Sequence, residues 1–213
     1  MNQPTYVPIL RAKQGEFTAL EHLEDSTKAL ILPLLDVPKN ASKAKIPKTN
    51  DQHLRDIISS IGGIWKNRSI LLDAFTWSPS AQTSEGKHIV AYLRDGLEAK
   101  GVKVLPVIGY DRWDDQIYQE AFKKMSLADD RFFCIRLDME AIDDINDLDF
   151  FNDRMSDILS SIGKSANECI LILDLADLSQ TAIITLMTKI SGAIGVLYGC
   201  LLYTSDAADD MQC

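Results

Sequence analysis

The stretch FFCIRLDME, residues 132–140, decides the fold expected for this chain. Its first six residues are apolar apart from Arg136, with no alternation of apolar and polar side chains. A continuous apolar run of this kind indicates a strand buried on both faces, as in parallel sheets. Asp138 follows at once. We therefore predict a parallel β-strand with a charged residue at its carboxyl end.

The same pattern recurs along the chain. The predicted strands cover residues 6–10, 29–35, 69–75, 102–108, 132–137 and 169–175. Between them, apolar residues recur every three or four positions, which is the period of an amphipathic helix. The predicted helices cover residues 17–23, 51–64, 87–100, 117–125, 152–162 and 180–190. The sequence thus predicts six consecutive pairs of strand and helix.

Alternating strands and helices form either an open doubly wound sheet or a closed (β/α)8 barrel. The turn after the first strand, ILRAKQGEF at residues 9–17, has one glycine, whereas a dinucleotide-binding fold has G-x-G-x-x-G there. The predicted strands also end in polar residues, as they do at the active face of a barrel. We predict an incomplete α/β barrel of the TIM type, six units of a presumed eight, in one domain over residues 1–199. The open sheet stays as the alternative.

The composition is that of an ordinary globular protein. Of the 213 residues, 46% are hydrophobic and 25% are charged, and the formal net charge is −9. The acidic balance argues against bulk nucleic-acid binding, which depends on Lys and Arg contacts to phosphate. The longest uncharged stretch, residues 190–205, is interrupted by glycines and is too short to span a bilayer. With no signal-peptide pattern at the N-terminus, we expect a cytoplasmic protein without membrane contact.

The C-terminal residues have a different origin in this interpretation. The string CLLYTSDAAD, residues 200–209, is identical to a translation of a transposase-type sequencing adaptor. We therefore interpret residues 200–213 as a non-native tail and the preceding chain as the first part of a longer protein. Without that tail the cysteines are Cys134 and Cys169, both in predicted strands. Such cysteines are typical of small core residues in a reducing compartment.

Charged and polar residues gather where the predicted strands end. Because the carboxyl ends of parallel strands share one edge of a sheet, we expect these residues to converge although they are far apart in the sequence. The candidate ligand-binding residues are Arg11, Lys13, Asp36, Asp73, Tyr110, Arg136, Asp138 and Asp174. No residue is assigned a catalytic role.

Arg136 is the most informative of these candidates. Its guanidinium lies in a strand predicted to be buried, and a buried charge needs a carboxylate partner. Asp73, Asp138 and Asp174 are the available carboxylates. Two interpretations stay open: a ring of charges that binds an anion or catalyses a reaction, and a structural layer of ion pairs.

Other chemistry has weaker support in the sequence. The strand-end aspartates could ligate Mg²⁺ or Mn²⁺, but Asp is also common there as a helix cap, so we predict no metal and no cofactor. The lysine-rich segment 37–50 could reach a phosphate, although we interpret it as a solvated loop. The segments 76–86 and 110–115 could cover a pocket or pack as ordered loops. The histidines His22, His53 and His88 fall in or beside predicted helices, away from the strand ends, so we expect no catalytic histidine.

Two segments of the first forty residues carry a resemblance to a known family: YVPILRAKQGEFTAL at residues 6–20, with its Lys-x-Gly-Glu turn, and LILPLLDVP at residues 30–38. These segments resemble the phage-type beta protein family. The later segments ILLDAF (70–75) and VLPVIGYD (104–111) are similar in style. The resemblance implies a longer protein, found in phages and bacterial genomes, and implies no catalytic residues.

Two classes of function fit these observations. The first is an enzyme or binding protein for a small anion, held by Arg11, Lys13 and Arg136, with an aspartate moving a proton or with Lys13 forming an imine. The second is a non-catalytic interaction protein in phage–host conflict that uses the barrel as a scaffold, because fold alone does not determine function. A water-filled pocket lined by polar residues favours the first class. Saturated ion pairs without a cavity favour the second.

Overall fold

Strands and helices alternate as predicted in the computed structural model, which describes residues 4–40, 48–127, 132–175 and 183–206. Its strands are β1 (Ile9–Arg11), β2 (Leu34–Asp36), β3 (Ser69–Asp73), β4 (Lys103–Gly109), β5 (Phe133–Leu137) and β6 (Cys169–Leu173). Its helices are α1 (Gln14–His22), α2 (Asp25–Lys28), α3 (Asn50–Ile64), α4 (Ile89–Glu98), α5 (Gln116–Leu127), α6 (Met139–Asp144), α7 (Leu148–Ile162) and α8 (Ile183–Asp206). Short 3₁₀ turns lie at Tyr110–Arg112 and Ala166–Glu168.

The strand order is sequential, β1-β2-β3-β4-β5-β6, and every described pairing between these strands is parallel. The chain divides into two compact units, Met1–Val107 and Ile108–Cys213. In the first unit β1, β2, β3 and β4 follow one another without the reversal of order that marks a doubly wound sheet. In the second unit β5 and β6 pair over their full length. An α/β fold with six parallel strands is confirmed.

The first two strands begin later than the sequence predicts. β1 starts at Ile9 and β2 at Leu34, each directly after a proline. Proline has no N–H to donate to a ladder, so regular pairing starts beyond it. Before β1 and β2, the described pairing is a single isolated bridge between Tyr6 and Ile31.

The buried faces of α3, α4 and α7 agree with the predicted periodicity, whereas α5 exposes Ile117 and buries Tyr118 and Phe122. α3 buries Leu54, Ile57, Ile58 and Ile61, and α4 and α7 bury equivalent apolar stripes. α3 begins at Asn50, one residue before its predicted start. Thr49 is the cap, because its hydroxyl accepts from the Gln52 N–H while the Gln52 side chain accepts from the Thr49 N–H. This reciprocal capping box satisfies two of the amides exposed at the helix start.

The sequence pattern does not predict two short helices, α2 and α6. α2 has no buried residue, so no apolar stripe marks it. α6 begins directly after β5, where the Asp138 side chain accepts a hydrogen bond of 3.1 Å from the Ala141 N–H. A helix this short shows little periodicity in the sequence, and the cap at Asp138 is its main local signal.

The last described helix continues past the predicted domain boundary. α8 runs from Ile183 to Asp206, so no break in secondary structure marks residue 200. Over the described parts of the chain, no helix combines the length and the apolar character that crossing a bilayer requires.

Candidate functional site

Three of the predicted site residues form a row across the first unit. Arg11 of β1 is the register partner of Asp36 in β2, and Asp36 is the register partner of Asp73 in β3. Register partners in a parallel sheet point to the same face, so these three side chains share one side of the sheet at its carboxyl edge. Arg11 is exposed, Asp36 is half-buried and Asp73 is fully buried. The predicted convergence therefore holds for these strand ends.

A cavity of about 560 Å³ opens beside this row in the first unit. Arg11 and Lys13 line it from the connection between β1 and α1. Lys39 and Lys48 line it from the segment that follows β2, which the sequence analysis interpreted as a solvated loop. The remaining polar wall includes His53 and Asp56 of α3.

The charges that line this cavity are predominantly positive. Lys48 Nζ lies 2.5 Å from Asp56 Oδ2, so these two charges offset each other. The hydrogen bond from Lys48 is the main cause that lowers the pKa of Asp56 below its ordinary value. In the described part of the chain, Arg11, Lys13 and Lys39 have no ion-pair partner. Three cations without an ion-pair partner in the described chain therefore line one opening.

His53 belongs to this cavity, and the expectation that all the histidines lie away from the strand ends is wrong for it. Its Nε2 is 2.9 Å from the Pro38 carbonyl oxygen. His53 lies in the first turn of α3, and that helix begins at the edge where β2 ends. The sequence contains a signal for this placement of His53, because a residue in the first turn of a helix that follows a parallel strand lies near the carboxyl edge of the sheet.

The strand-end residues of the second unit have protein partners. Arg136 donates from Nε to Asp174 Oδ2 at 2.9 Å, and its Nη2 contacts the same oxygen. The two side chains are 10% and 20% exposed. The prediction that Arg136 bonds to at least one strand-end carboxylate is confirmed. Asp138 caps α6, as described above.

Tyr110 lies in a buried network rather than at an opening. Its ring is buried and stacks on Phe151 at a centroid distance of 5.9 Å, and its hydroxyl donates to Asp144 Oδ2 at 2.9 Å. Burial, reinforced by the hydrogen bond to Asp144, raises the pKa of the Tyr110 hydroxyl well above its ordinary value. Arg154 contacts both the ring and the backbone of Tyr110. Its guanidinium lies 4.6 Å from the ring centroid and donates to the Tyr110 carbonyl at 2.8 Å.

Helix α7 holds the segment 110–115 through further hydrogen bonds. Arg154 also donates to Asp114, and Trp113 Nε1 donates to Asp157 Oδ2 at 2.7 Å. The mixture of aromatic and charged residues in this segment therefore serves packing, one of the two alternatives that the sequence left open.

Glu140 is a titrating residue that the sequence analysis missed. Burial raises its pKa above the ordinary value, and the nearby carboxylates of Asp138, Asp144 and Asp111 act in the same direction. Nothing in the local sequence MEAID distinguishes Glu140 from a solvated helix residue.

The described cysteines lack the features of a nucleophile. Cys134 is buried in β5. Burial, with a smaller effect from Glu168, raises the pKa of the Cys169 thiol to about 11, so the thiolate is scarce near neutral pH. Within the described residues, no group of three or more His, Cys, Asp or Glu side chains is arranged to hold a metal ion.

Together these observations define an α/β protein of sequential parallel strands with a cationic cavity beside the first strand ends. The model of the Beta protein family matches residues 6–198, and the chain belongs to that family. The match ends two residues before the adaptor-like string begins. No curated protein and no solved structure matches the chain.

Proposed function

We propose that this protein binds a small anionic ligand in the cavity beside β1. The observation that carries the proposal is the set of Arg11, Lys13 and Lys39, three cations without an ion-pair partner in the described chain, around one opening of about 560 Å³. Like charges gathered in one cavity repel one another, and a bound anion relieves that repulsion.

The start of α1 supports the same reading of the cavity. Lys13 is the N-cap of this helix and makes no capping hydrogen bond through its side chain, and Gln14 and Phe17 line the cavity. The first amides of a helix have no intrahelical acceptor and carry a partial positive charge. They add to the attraction that the three cations exert on an anion.

The architecture agrees with this location. We propose that the six strands belong to a barrel of the TIM type, because the described strands are parallel and sequential. In such barrels, ligands bind at the carboxyl ends of the strands, where Arg11 lies. The buried Cys134 and half-buried Cys169, both free thiols, support a reducing compartment such as the cytoplasm.

The test is calorimetric titration of the whole chain with sodium sulfate at low ionic strength. The wild type is expected to bind sulfate, and an Arg11→Gln, Lys13→Gln variant is expected to lose at least about tenfold in affinity, the equivalent of about 1.4 kcal/mol. Lys66→Gln is the matched control, because Lys66 is an exposed lysine of the same unit outside the cavity. Equal sulfate binding by all three proteins would refute the proposal.

A second candidate is the interaction protein, and exposed apolar residues favour it. Tyr6, Ile9 and Leu30, beside or within β1, are more than half exposed. Exposed apolar surface next to a strand often marks a contact with another protein. An Ile9→Ser, Leu30→Ser variant is expected to bind a hydrophobic dye less strongly than the wild type. Sulfate binding together with unchanged dye fluorescence would favour the ligand-binding function instead.

A further inference from the structure

We infer that His53 contacts the bound anion directly, and that its protonation makes the cavity selective for compact dianions of the sulfate or phosphate class. The inference rests on the proposed anion binding and extends it to the class of ligand and to the control of affinity.

The hydrogen bond of His53 fixes the chemistry of its ring. A carbonyl oxygen can only accept, so the Nε2 that lies 2.9 Å from the Pro38 carbonyl oxygen must carry a proton. In the neutral ring, Nδ1 is then a lone-pair acceptor, which is unsuited to an anion. In the charged ring, Nδ1 gains a proton and becomes a donor, while the bond to Pro38 is kept. Protonation thus changes the ring from an acceptor to a donor without moving it.

The charges around His53 determine the effect of that proton. Arg11 and Lys13 face the cavity from the connection between β1 and α1, and Lys39 and Lys48 face it from the segment after β2. On α3 itself, Asp56 is paired with Lys48 and also interacts electrostatically with His53 and Arg55. Among these groups, histidine is the type that ordinarily changes its charge between about pH 5 and 8.

The ligand class follows from the charge balance. Three cations of the cavity have no ion-pair partner in the described chain, and protonation of His53 adds one more positive charge. A dianion offsets more of this positive charge than a monoanion of similar size does. The Nδ1–H of the charged His53 ring and the guanidinium of Arg11 are also suitable donors to the oxygens of a compact anion such as sulfate or phosphate.

The experiment measures sulfate affinity at two pH values. Sulfate stays a dianion across the range, so any change in affinity arises from the protein. For the wild type, the sulfate dissociation constant is expected to be about fivefold lower at about pH 5.5 than at about pH 8, because one added charge at contact distance contributes about 1 kcal/mol in a hydrated site. Chloride, a monoanion, is expected to show weaker binding at both values.

Three variants assign that dependence to a residue. His53→Gln keeps an N–H for the Pro38 carbonyl but does not titrate, so the ratio between the two pH values is expected to fall to about one. His53→Lys carries a positive charge at both pH values, so its sulfate affinity is also expected to be independent of pH. His22→Gln is the matched control, since His22 is an exposed histidine of α1 whose ring contacts the Thr18 carbonyl; it is expected to keep the fivefold ratio.

A second readout addresses direct contact. Sulfate is expected to shift the imidazole ¹⁵N resonances of His53 and to leave those of His22 unchanged. A wild type that binds sulfate with equal affinity at both pH values, or a His53→Gln protein that keeps the fivefold ratio, would overturn this inference and leave the anion site in place. Absence of sulfate binding at both pH values would overturn the proposed function as well.

Discussion

The two units place the same kinds of residue at strand ends and use them differently. In the first unit, Arg11 lies at the end of its strand beside a cavity, with no ion-pair partner in the described chain. In the second unit, Arg136 lies near the end of its strand and bonds to Asp174. A charged residue at a strand end therefore does not by itself indicate a ligand site; the surrounding elements decide whether a protein group already satisfies the charge.

The connections after β2 and β5 also differ between the two units. In the second unit, one residue, Asp138, lies between β5 and α6, and it caps that helix. In the first unit, residues 37–49 separate β2 from α3. Lys39 and Lys48, which lie in the described parts of this connection, line the cavity. Function in such folds is commonly carried by connections of this kind.

The largest expected effect concerns the pair in the second unit. Arg136→Met removes the main described partner of Asp174 and is expected to lower the free energy of unfolding by about 3 kcal/mol, measured by urea titration. Pairing it with Asp174→Leu is expected to recover most of that loss, because no charge is then left without its partner. A small loss of stability accompanied by loss of sulfate binding would instead place Arg136 in a ligand site and remove the contrast between the units.

The next effect concerns Tyr110. Tyr110→Phe removes the hydrogen bond to Asp144 and is expected to destabilise the protein by about 1.5–2 kcal/mol in thermal or urea unfolding, since the acceptor is charged. Tyr6→Phe, at an exposed position, is the control and is expected to have no measurable effect. If both variants unfold alike, the buried network of the second unit contributes little.

Tyr110 also predicts a dependence on alkaline pH. An unfolded tyrosine ionises near pH 10, whereas the folded protein raises the pKa of Tyr110 by burial and by the hydrogen bond to Asp144. The folded state therefore holds the proton more tightly, so this stabilising effect is complete below about pH 10 and is lost as the pH rises toward the folded pKa. Stability measured across this range should fall more steeply in the wild type than in Tyr110→Phe. Parallel curves would contradict the shift.

A smaller effect is expected at Asp138. Asp138→Ala removes the N-cap of α6 and should cost about 1 kcal/mol, whereas Asp138→Asn keeps an acceptor for the Ala141 N–H and should cost only a few tenths. Urea titration of both variants separates a capping role from a charge-dependent one. A large loss with Asn would show that the negative charge itself matters, as in a ligand site.

The smallest effect on stability is expected at the cavity. Arg11→Gln and Lys13→Gln are exposed substitutions without a described ion pair to break, so each should change the free energy of unfolding by less than about 0.5 kcal/mol. Their effect should appear in sulfate affinity alone. Substantial destabilisation by either one would mean that the first unit, like the second, uses its strand-end charges for structure.

The sequence by itself determined the elements of this protein. Continuous apolar runs predicted the parallel strands, and apolar spacing predicted the buried faces of α3, α4 and α7. It also predicted that the charged Arg136 needs a carboxylate. These features depend on neighbours within a few positions along the chain, and periodicity expresses such neighbours directly.

The tertiary structure decided which of these residues meet. It selected Asp174 as the main described partner of Arg136 and assigned Asp138 to a helix cap. It buried Tyr110 against α7 and placed His53 in the cavity with Arg11. Each of these outcomes depends on strand register and on the length and path of a connection. Both join residues that are distant in the sequence, and no local pattern records them.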